Sequence, residues 1–159
     1  MTAIVGARLD QAFTAADIAL GLGPKLGEIY EDYRGYQFKF VKYNVGAGSV
    51  AAAAGNFAYL YAASGASAGQ TTEVTSDLSD SAEVGAGVLQ SAPGNGEYCW
   101  VMTKGIATLT TALTAGADGD PLTPTGATDG TLDVTAATTD DICATAIDAS
   151  AKIVRVNCR

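Results

Sequence analysis

Apolar and polar positions alternate over much of the chain after residue 27, which is the pattern of β-strands. In "YQFKFV" (residues 36–41) the three aromatic side chains share one face of an extended strand, and the residues between them share the other. A second aromatic strand is predicted at residues 57–61 and a small-residue strand at residues 84–90. The segments "ICATAI" and "IVRVNC" are short, β-branched and alternating, so we expect the chain to end inside the sheet.

The stretch "GNGEYCWVMTKGIATL" (residues 94–109) begins with a turn and continues as a strand that is apolar on both faces. Consecutive side chains of a strand point to opposite faces. One face would carry Tyr98, Trp100 and Met102, and the other Cys99, Val101 and Thr103. Either both faces are buried within a barrel or sandwich, or one face is in the core and the other lies against a neighbouring copy. The pattern leaves open both this choice and which face would be in the core.

Residues 1–27 differ from the rest of the chain, being rich in glycine, proline and small residues. A helical stripe that includes Leu9, Phe13 and Leu20, with capping spacing from Thr14 to Asp17, predicts one short helix there. We therefore expect an extended N-terminal arm over residues 1–27 and a single domain over residues 28–159. Short strands separated by Gly, Asp and Pro turns predict an all-β domain, a small β-barrel or sandwich.

Composition narrows the range of partners. Nine Lys and Arg residues among seventeen Asp and Glu give a net charge of −8, which argues against direct binding to nucleic acid. The beginning of the chain lacks a signal-peptide pattern, and no apolar run reaches the length of a membrane span, so we expect a soluble, unexported protein with no membrane contact. The cysteines Cys99, Cys143 and Cys158 are odd in number and lack CxxC spacing, so we expect buried thiols rather than disulfides.

The chain contains no histidine, so it lacks the side chain that most often acts as a general base near neutral pH. The segment "GASAG" matches the nucleophile-elbow pattern around Ser67, but no imidazole can take the hydroxyl proton. Glycine turns hold three aspartates that we interpret as turn residues rather than calcium ligands: Asp118, Asp120 and Asp129. We expect no catalytic, cofactor-binding or metal-binding residues, and a protein that is not an enzyme.

The segment "AEVGAGVLQSAPGNGEYCWVMTKGIATLTTALTAGADGDPLTPTGATDGTLDV" (residues 82–134) resembles the capsid decoration, or cement, proteins of tailed bacteriophages. The likeness lies in the order of a small-residue strand, the Gly-Glu-Tyr-x-Trp-Val strand, a Lys104-Gly105 break, a Thr-rich strand and Gly-Asp-Pro-Leu. The upstream "LGEIYEDYRGYQFKFVKYNVGAGSVAAAAG" (residues 26–55) is similar to the preceding part of such proteins. The resemblance runs from residue 26 to the C-terminus and leaves the arm uncovered.

The resemblance implies a virion structural protein, made in the host bacterial cytoplasm and bound to the outer capsid surface. It implies a β-barrel that forms a homotrimer at three-fold positions, contacts the major capsid protein and stabilises the shell against internal DNA pressure. The expected protein-interface residues are Phe13, Ile18, Leu20, Tyr30, Tyr33, Cys99, Val101 and Thr103.

Two other functions are compatible with the sequence. One is a phage tail, fibre or head-fibre base protein, in which the same β composition serves stacking or receptor contact. The other is a carbohydrate-binding β-sandwich that stacks exposed tyrosine rings on sugars. The tyrosines available for this are Tyr30, Tyr33, Tyr36, Tyr43, Tyr59 and Tyr61.

Overall fold

The chain folds into strands where the sequence alternates. The computed structural model describes residues 8–62 and 71–158. It contains one α-helix, α1 (Ala15–Ala19), and a 3-10 turn at Leu78–Asp80. The strands are β1 (Ile29–Glu31), β2 (Gln37–Tyr43), β3 (Phe57–Tyr61), β4 (Glu73–Thr75), β5 (Ser81–Leu89), β6 (Tyr98–Thr108), β7 (Pro121–Thr123), β8 (Asp133–Val134), β9 (Ala144–Asp148) and β10 (Ile153–Asn157). The predicted all-β fold is confirmed, and a closed barrel is at its centre.

Five strands close the barrel in the order β2-β4-β3-β5-β6, because β6 pairs back onto β2. The junction between β2 and β4 is parallel, and the other four are antiparallel. β1 adds to the first half of β2, on the edge that β4 uses further along. β10, β9, β7 and β8 continue the sheet from the second half of β6 and form a lobe beside the barrel.

The barrel interior is filled mainly by small and β-branched side chains. One buried cluster draws residues from all five barrel strands and from no other strand, which identifies it as the interior. A five-stranded barrel is narrow, so alanine, valine and cysteine suit most positions and few large side chains fit. The interior residues are Val41, Tyr43, Ala58, Val74, Ala86, Leu89, Cys99 and Val101.

The outside of the barrel wall is buried as well. A second cluster of buried residues, which we call the outer cluster, contains Phe38, Phe40 and Trp100. It also contains Phe13 from the arm and residues of the β7–β10 lobe. Phe40 lies between two of these aromatic partners, with ring centroids 5.6 Å from Phe13 and 5.2 Å from Trp100. The lobe is tied to β3 by the Tyr59 hydroxyl, which accepts a hydrogen bond from Thr131 N at 3.0 Å and donates one to Thr131 O.

The first half of β6, residues 99–102, is therefore buried on both faces within one chain. Cys99 and Val101 point into the barrel and are fully buried, whereas Trp100 and Met102 pack against the outer cluster with at most 7% of their surface exposed. Double burial was one of the arrangements that the sequence left open. The arm and the lobe, rather than a neighbouring copy, cover the second face.

Strand β6 also continues through the position where the sequence suggested a break. It runs without interruption across Lys104 and Gly105, so the expectation of a break here is wrong. What changes at this point is the partner: β5 pairs with β6 up to Met102, and β10 pairs with it from Lys104 onwards. Gly105 is needed because its φ is +145° and a Cβ there would lie 2.8 Å from Cγ of Tyr36.

The arm contains the expected short helix but not the expected helical stripe. Thr14 caps α1 through a capping box with Asp17, as its spacing predicted. Phe13, however, lies before the helix in extended backbone that exchanges two hydrogen bonds with Tyr98, each 2.8 Å long. At the predicted boundary, Gly27 N donates to Phe40 O, so this part of the arm is also hydrogen-bonded to the barrel. The division of the chain at residue 27 stays a prediction.

Candidate interaction surface

Three of the eight predicted interface residues are inside the chain. Cys99 and Val101 line the barrel interior with no exposed surface. Phe13 is 7% exposed, and its ring packs against Phe40. Their prediction as interface residues is wrong, because a partner could reach them only if the barrel opened or the arm detached. Burial also raises the pKa of the Cys99 thiol to about 12, which makes it unreactive in the folded protein.

The other five predicted interface residues reach the surface to different degrees. Ile18 and Tyr30 are half-buried and pack against the outer cluster. Thr103 is half-buried, and its hydroxyl donates a hydrogen bond to Gln37 O within the chain. Leu20 is 74% exposed and Tyr33 is 96% exposed. These last two are the predicted residues that remain freely available to a partner.

Large apolar side chains are exposed at intervals between residues 20 and 33. We call this set the arm patch; it consists of Leu20, Leu22, Leu26, Ile29 and Tyr33. Each is at least 47% exposed, although leucine and isoleucine are usually buried. Within the described residues β1 pairs with β2 alone, so Ile29 lies on a strand with an unpaired edge. Sequence reasoning missed Leu22, Leu26 and Ile29, which have no regular period.

A second surface feature is a groove of about 520 Å³ beside the second half of β6. Its lining brings together the cations Arg34, Lys104 and Arg155 and, among the described residues, contains no carboxylate. Exposed Ile106 and Ile142 supply apolar surface in the same groove. We call this the basic groove, and it contrasts with the net charge of −8 for the whole chain.

The arm patch and the basic groove meet at the turn that joins β1 to β2. Tyr33 belongs to the patch, and Arg34 lines the groove as the next residue. A guanidinium nitrogen of Arg34 is 2.7 Å from Oδ2 of Asp32. The guanidinium carbon lies 4.4 Å from the ring centroid of Tyr36. Asp32 also accepts hydrogen bonds from the Arg34 and Tyr36 backbone N–H groups, which fixes the turn.

The three turn aspartates all accept hydrogen bonds from backbone N–H groups, but Asp118 and Asp129 do so from segments distant in sequence. Asp118 accepts from Ala149 N at 2.8 Å, and Asp129 accepts from Leu78 N at 2.8 Å. Asp120 likewise accepts from Ala117 N, which closes its own turn. Within residues 8–62 and 71–158, no group of three or more Cys, Asp or Glu side chains is placed to share a metal ion. Ser67 lies outside the described residues.

Most of the tyrosines proposed for sugar stacking do not form an exposed platform. Tyr43 and Tyr59 are fully buried, which removes both from any stacking surface. Tyr36 is half-buried: its ring packs on Gly105, and the Arg34 guanidinium lies 4.4 Å from the ring centroid. Tyr33 is the tyrosine of this set that is almost entirely exposed.

Asp77 is a buried carboxylate whose ionisation contributes to stability. It is 2% exposed, and it accepts hydrogen bonds from the Ser79 hydroxyl, Ser79 N and Gly48 N at 2.6, 3.0 and 2.7 Å. The Ser79 hydroxyl and these backbone N–H groups lower the pKa of Asp77 below its ordinary value. A lowered folded-state pKa gives stability that is present above the unfolded-state pKa and is lost as the pH falls through the folded-state pKa.

We expect Asp77→Asn to lower the free energy of unfolding by about 1–3 kcal/mol at neutral pH, because an amide accepts these hydrogen bonds less well than a carboxylate. The difference from the wild type should shrink as the pH falls below about 3.9, the ordinary pKa of an aspartate, because the unfolded chain then binds the proton more readily than the folded one. Urea unfolding at neutral pH and at low pH measures this. Asp10→Asn, at an exposed arm position, is the control and should change stability little at either pH. A difference that persists unchanged at low pH would contradict the role of the charge.

No helix in the described part of the chain is long and apolar enough to cross a membrane. No protein-family model, curated protein or solved structure matches the chain. Its fold and its two adjoining surface features are therefore the basis for a functional proposal.

Proposed function

We propose that this chain is a bacteriophage capsid decoration protein, which binds the outer surface of the assembled shell and stabilises it against the pressure of packaged DNA. In this proposal it acts as a trimer at three-fold positions and contacts the major capsid protein. The resemblance noted in the sequence motivates the proposal, and an all-β barrel with an attached arm is compatible with it.

The observation that carries the proposal is the arm patch. Both faces of the first half of β6, residues 99–102, are covered within the chain, yet five large apolar side chains between residues 20 and 33 are left in water. Burying one such side chain is worth about 1.5–3 kcal/mol, so covering several of them suits a protein–protein contact. The free edge of β1 beside Ile29 offers backbone hydrogen bonds to the same partner.

The basic groove extends this surface with charge. Within the described residues, Arg34 is paired with Asp32, whereas Lys104 and Arg155 form no ion pair. An acidic segment of the shell would therefore find two uncompensated cations next to Ile106 and Ile142. Many weak contacts of this kind, repeated over a shell, stabilise it by mass action at each site.

The test is co-sedimentation of the purified protein with assembled shells of the bacteriophage whose genome carries the gene. We expect the wild type to sediment with shells, and the double variant Leu22→Ser, Leu26→Ser to bind at least about tenfold more weakly. Ile147→Ser is the matched control, because Ile147 is an exposed aliphatic residue on β9 outside the patch, and it should bind like the wild type.

Two results would overturn the proposal. One is wild-type protein that stays in the supernatant with intact shells. The other is shells without the protein that withstand heat and low salt as well as complete shells. Electron microscopy of virions carrying labelled protein separates the head from the tail, and label on the tail would favour the tail or fibre alternative.

A further inference from the structure

Cys143 and Cys158 are brought together by the last two strands. Cys143 directly precedes β9, and Cys158 directly follows β10, its antiparallel partner. Asn157 N donates to Cys143 O at 2.8 Å, so the pairing of the two segments extends up to the cysteines. The Cys158 sulfur lies 3.9 Å from the Cys143 carbonyl oxygen. Both thiols are free, and the sequence spacing of the two residues gave no sign that they meet.

The two sulfur atoms lie over the same glycine. A Cβ built on Gly85 of β5 would lie 2.7 Å from Sγ of Cys143 and 3.3 Å from Sγ of Cys158. The same Cβ would lie 2.5 Å from Cβ of Cys143, so a larger residue at position 85 would displace the thiols. Gly85 thus leaves one small space that both sulfurs share.

We propose that Cys143 and Cys158 form an intrachain disulfide when the folded protein meets a low-molecular-weight disulfide such as oxidised glutathione. This inference does not depend on the proposed function. It holds for any setting in which the protein leaves a reducing compartment.

The exchange proceeds in two balanced steps. The Cys158 thiolate attacks one sulfur of oxidised glutathione, which forms a mixed disulfide and releases one glutathione thiolate. The Cys143 thiolate then attacks the Cys158 sulfur, forms the intrachain bond and releases the second glutathione thiolate. The protein loses two electrons and two protons, and one molecule of oxidised glutathione is reduced to two thiols.

Exposure determines which cysteine reacts first. Cys158 is half-buried and reachable from solvent, whereas Cys143 is 1% exposed. The hydrogen bond with Cys158, burial and the nearby Asp141 carboxylate all raise the pKa of Cys143. Cys158 is therefore the attacking thiol, and Cys143 resolves the mixed disulfide across the short distance that the fold provides.

The bond would fasten the C-terminal strand to the rest of the sheet. Cys143 and Cys158 are 15 residues apart, so the disulfide would close a loop containing β9 and β10. Closing a loop of this size removes conformational freedom from the unfolded chain. We expect the melting temperature of the oxidised protein to rise by roughly 6–12 °C.

The experiment incubates fully reduced protein with oxidised glutathione at about pH 8, where thiolates are available. Thiols are then alkylated in denaturant and the peptides are mapped by mass spectrometry. We expect one alkylated cysteine, Cys99, and a peptide pair joined through Cys143 and Cys158. Thermal melts of the oxidised and reduced forms measure the gain in stability.

Cys99→Ser is the matched control and should still form the bond, because Cys99 is in the barrel interior. Cys158→Ser, at a half-buried position, should keep all remaining thiols free and should not gain stability. The proposal is overturned if three cysteines are alkylated after oxidation or if glutathione stays attached to Cys158. Chains linked to one another, or a melting temperature that does not rise, would also overturn it.

Discussion

Replacing Trp100 with alanine is expected to lower the free energy of unfolding by about 3–5 kcal/mol, the range for removing a large buried aromatic side chain. Trp100 is 1% exposed, and its ring contacts both Phe40 and Tyr30, at centroid distances of 5.2 and 6.3 Å. It also borders the space beneath the arm together with Phe13. The variant should therefore loosen the attachment of the arm as well as destabilise the barrel.

Two measurements check this expectation. Urea unfolding followed by circular dichroism gives the loss of stability, since Trp100 is the only tryptophan and its fluorescence disappears in the variant. Hydrogen exchange at Phe13 N, which donates to Tyr98 O, reports whether the arm detaches. A loss below about 1 kcal/mol would mean that the outer cluster does not hold the arm in the way described.

Trp100→Phe is the informative control. Phenylalanine keeps a ring against Phe40, and among the described residues the indole Nε1 has no hydrogen-bond partner to lose. The variant should cost about 1–2 kcal/mol, mainly through the lost volume. A cost equal to that of Trp100→Ala would indicate that the indole nitrogen has an important partner.

Gly87→Ala is expected to have a comparably large effect, about 3–5 kcal/mol. Gly87 of β5 has a φ of +133°, a conformation that L-residues rarely adopt. A Cβ there would overlap the carbonyl oxygen of Met102 on β6 and lie 2.9 Å from the carbonyl carbon. These are backbone atoms next to the pairing of Val88 with Met102, so they cannot move without opening the β5–β6 junction of the barrel.

Gly96→Ala is a control that introduces the same kind of backbone strain as Gly87→Ala without the overlap of the new Cβ with neighbouring atoms. Gly96 has a φ of +77°, but a Cβ built there has no described atom within 4 Å. This control should cost only about 1–2 kcal/mol, the penalty of a left-handed backbone alone. Urea unfolding of both variants gives the comparison. Equal losses at the two positions would show that close packing of β5 on β6 is not what requires Gly87.

Local patterns predicted most of the strands. Residues 57–61 were predicted as a strand and form β3, and the alternation of "IVRVNC" places Val154 and Val156 in the core with Arg155 outside. The capping spacing at Thr14 and the turn role of Asp120 also hold. These features depend on side-chain period and short-range hydrogen bonds, which can be derived from neighbouring residues alone.

The candidate site was much less predictable. Phe13 fitted a helical stripe as well as an extended bridge, and only its pairing with Tyr98 decides between them. Arg34, Lys104 and Arg155 are far apart in sequence and meet because β2, β6 and β10 are neighbours in the sheet. No periodicity in the sequence predicts that Leu22 and Leu26 are exposed, because their exposure depends on how the arm packs on the barrel.

The sequence by itself determined that the chain is all-β, where most of its strands and turns lie, and that it lacks histidine. Only the tertiary structure decided what covers the second face of β6, which cations share a groove and that Cys143 lies beside Cys158. The physical reason is that strand periodicity is a property of consecutive residues, whereas strand pairing and burial depend on contacts between distant parts of the chain.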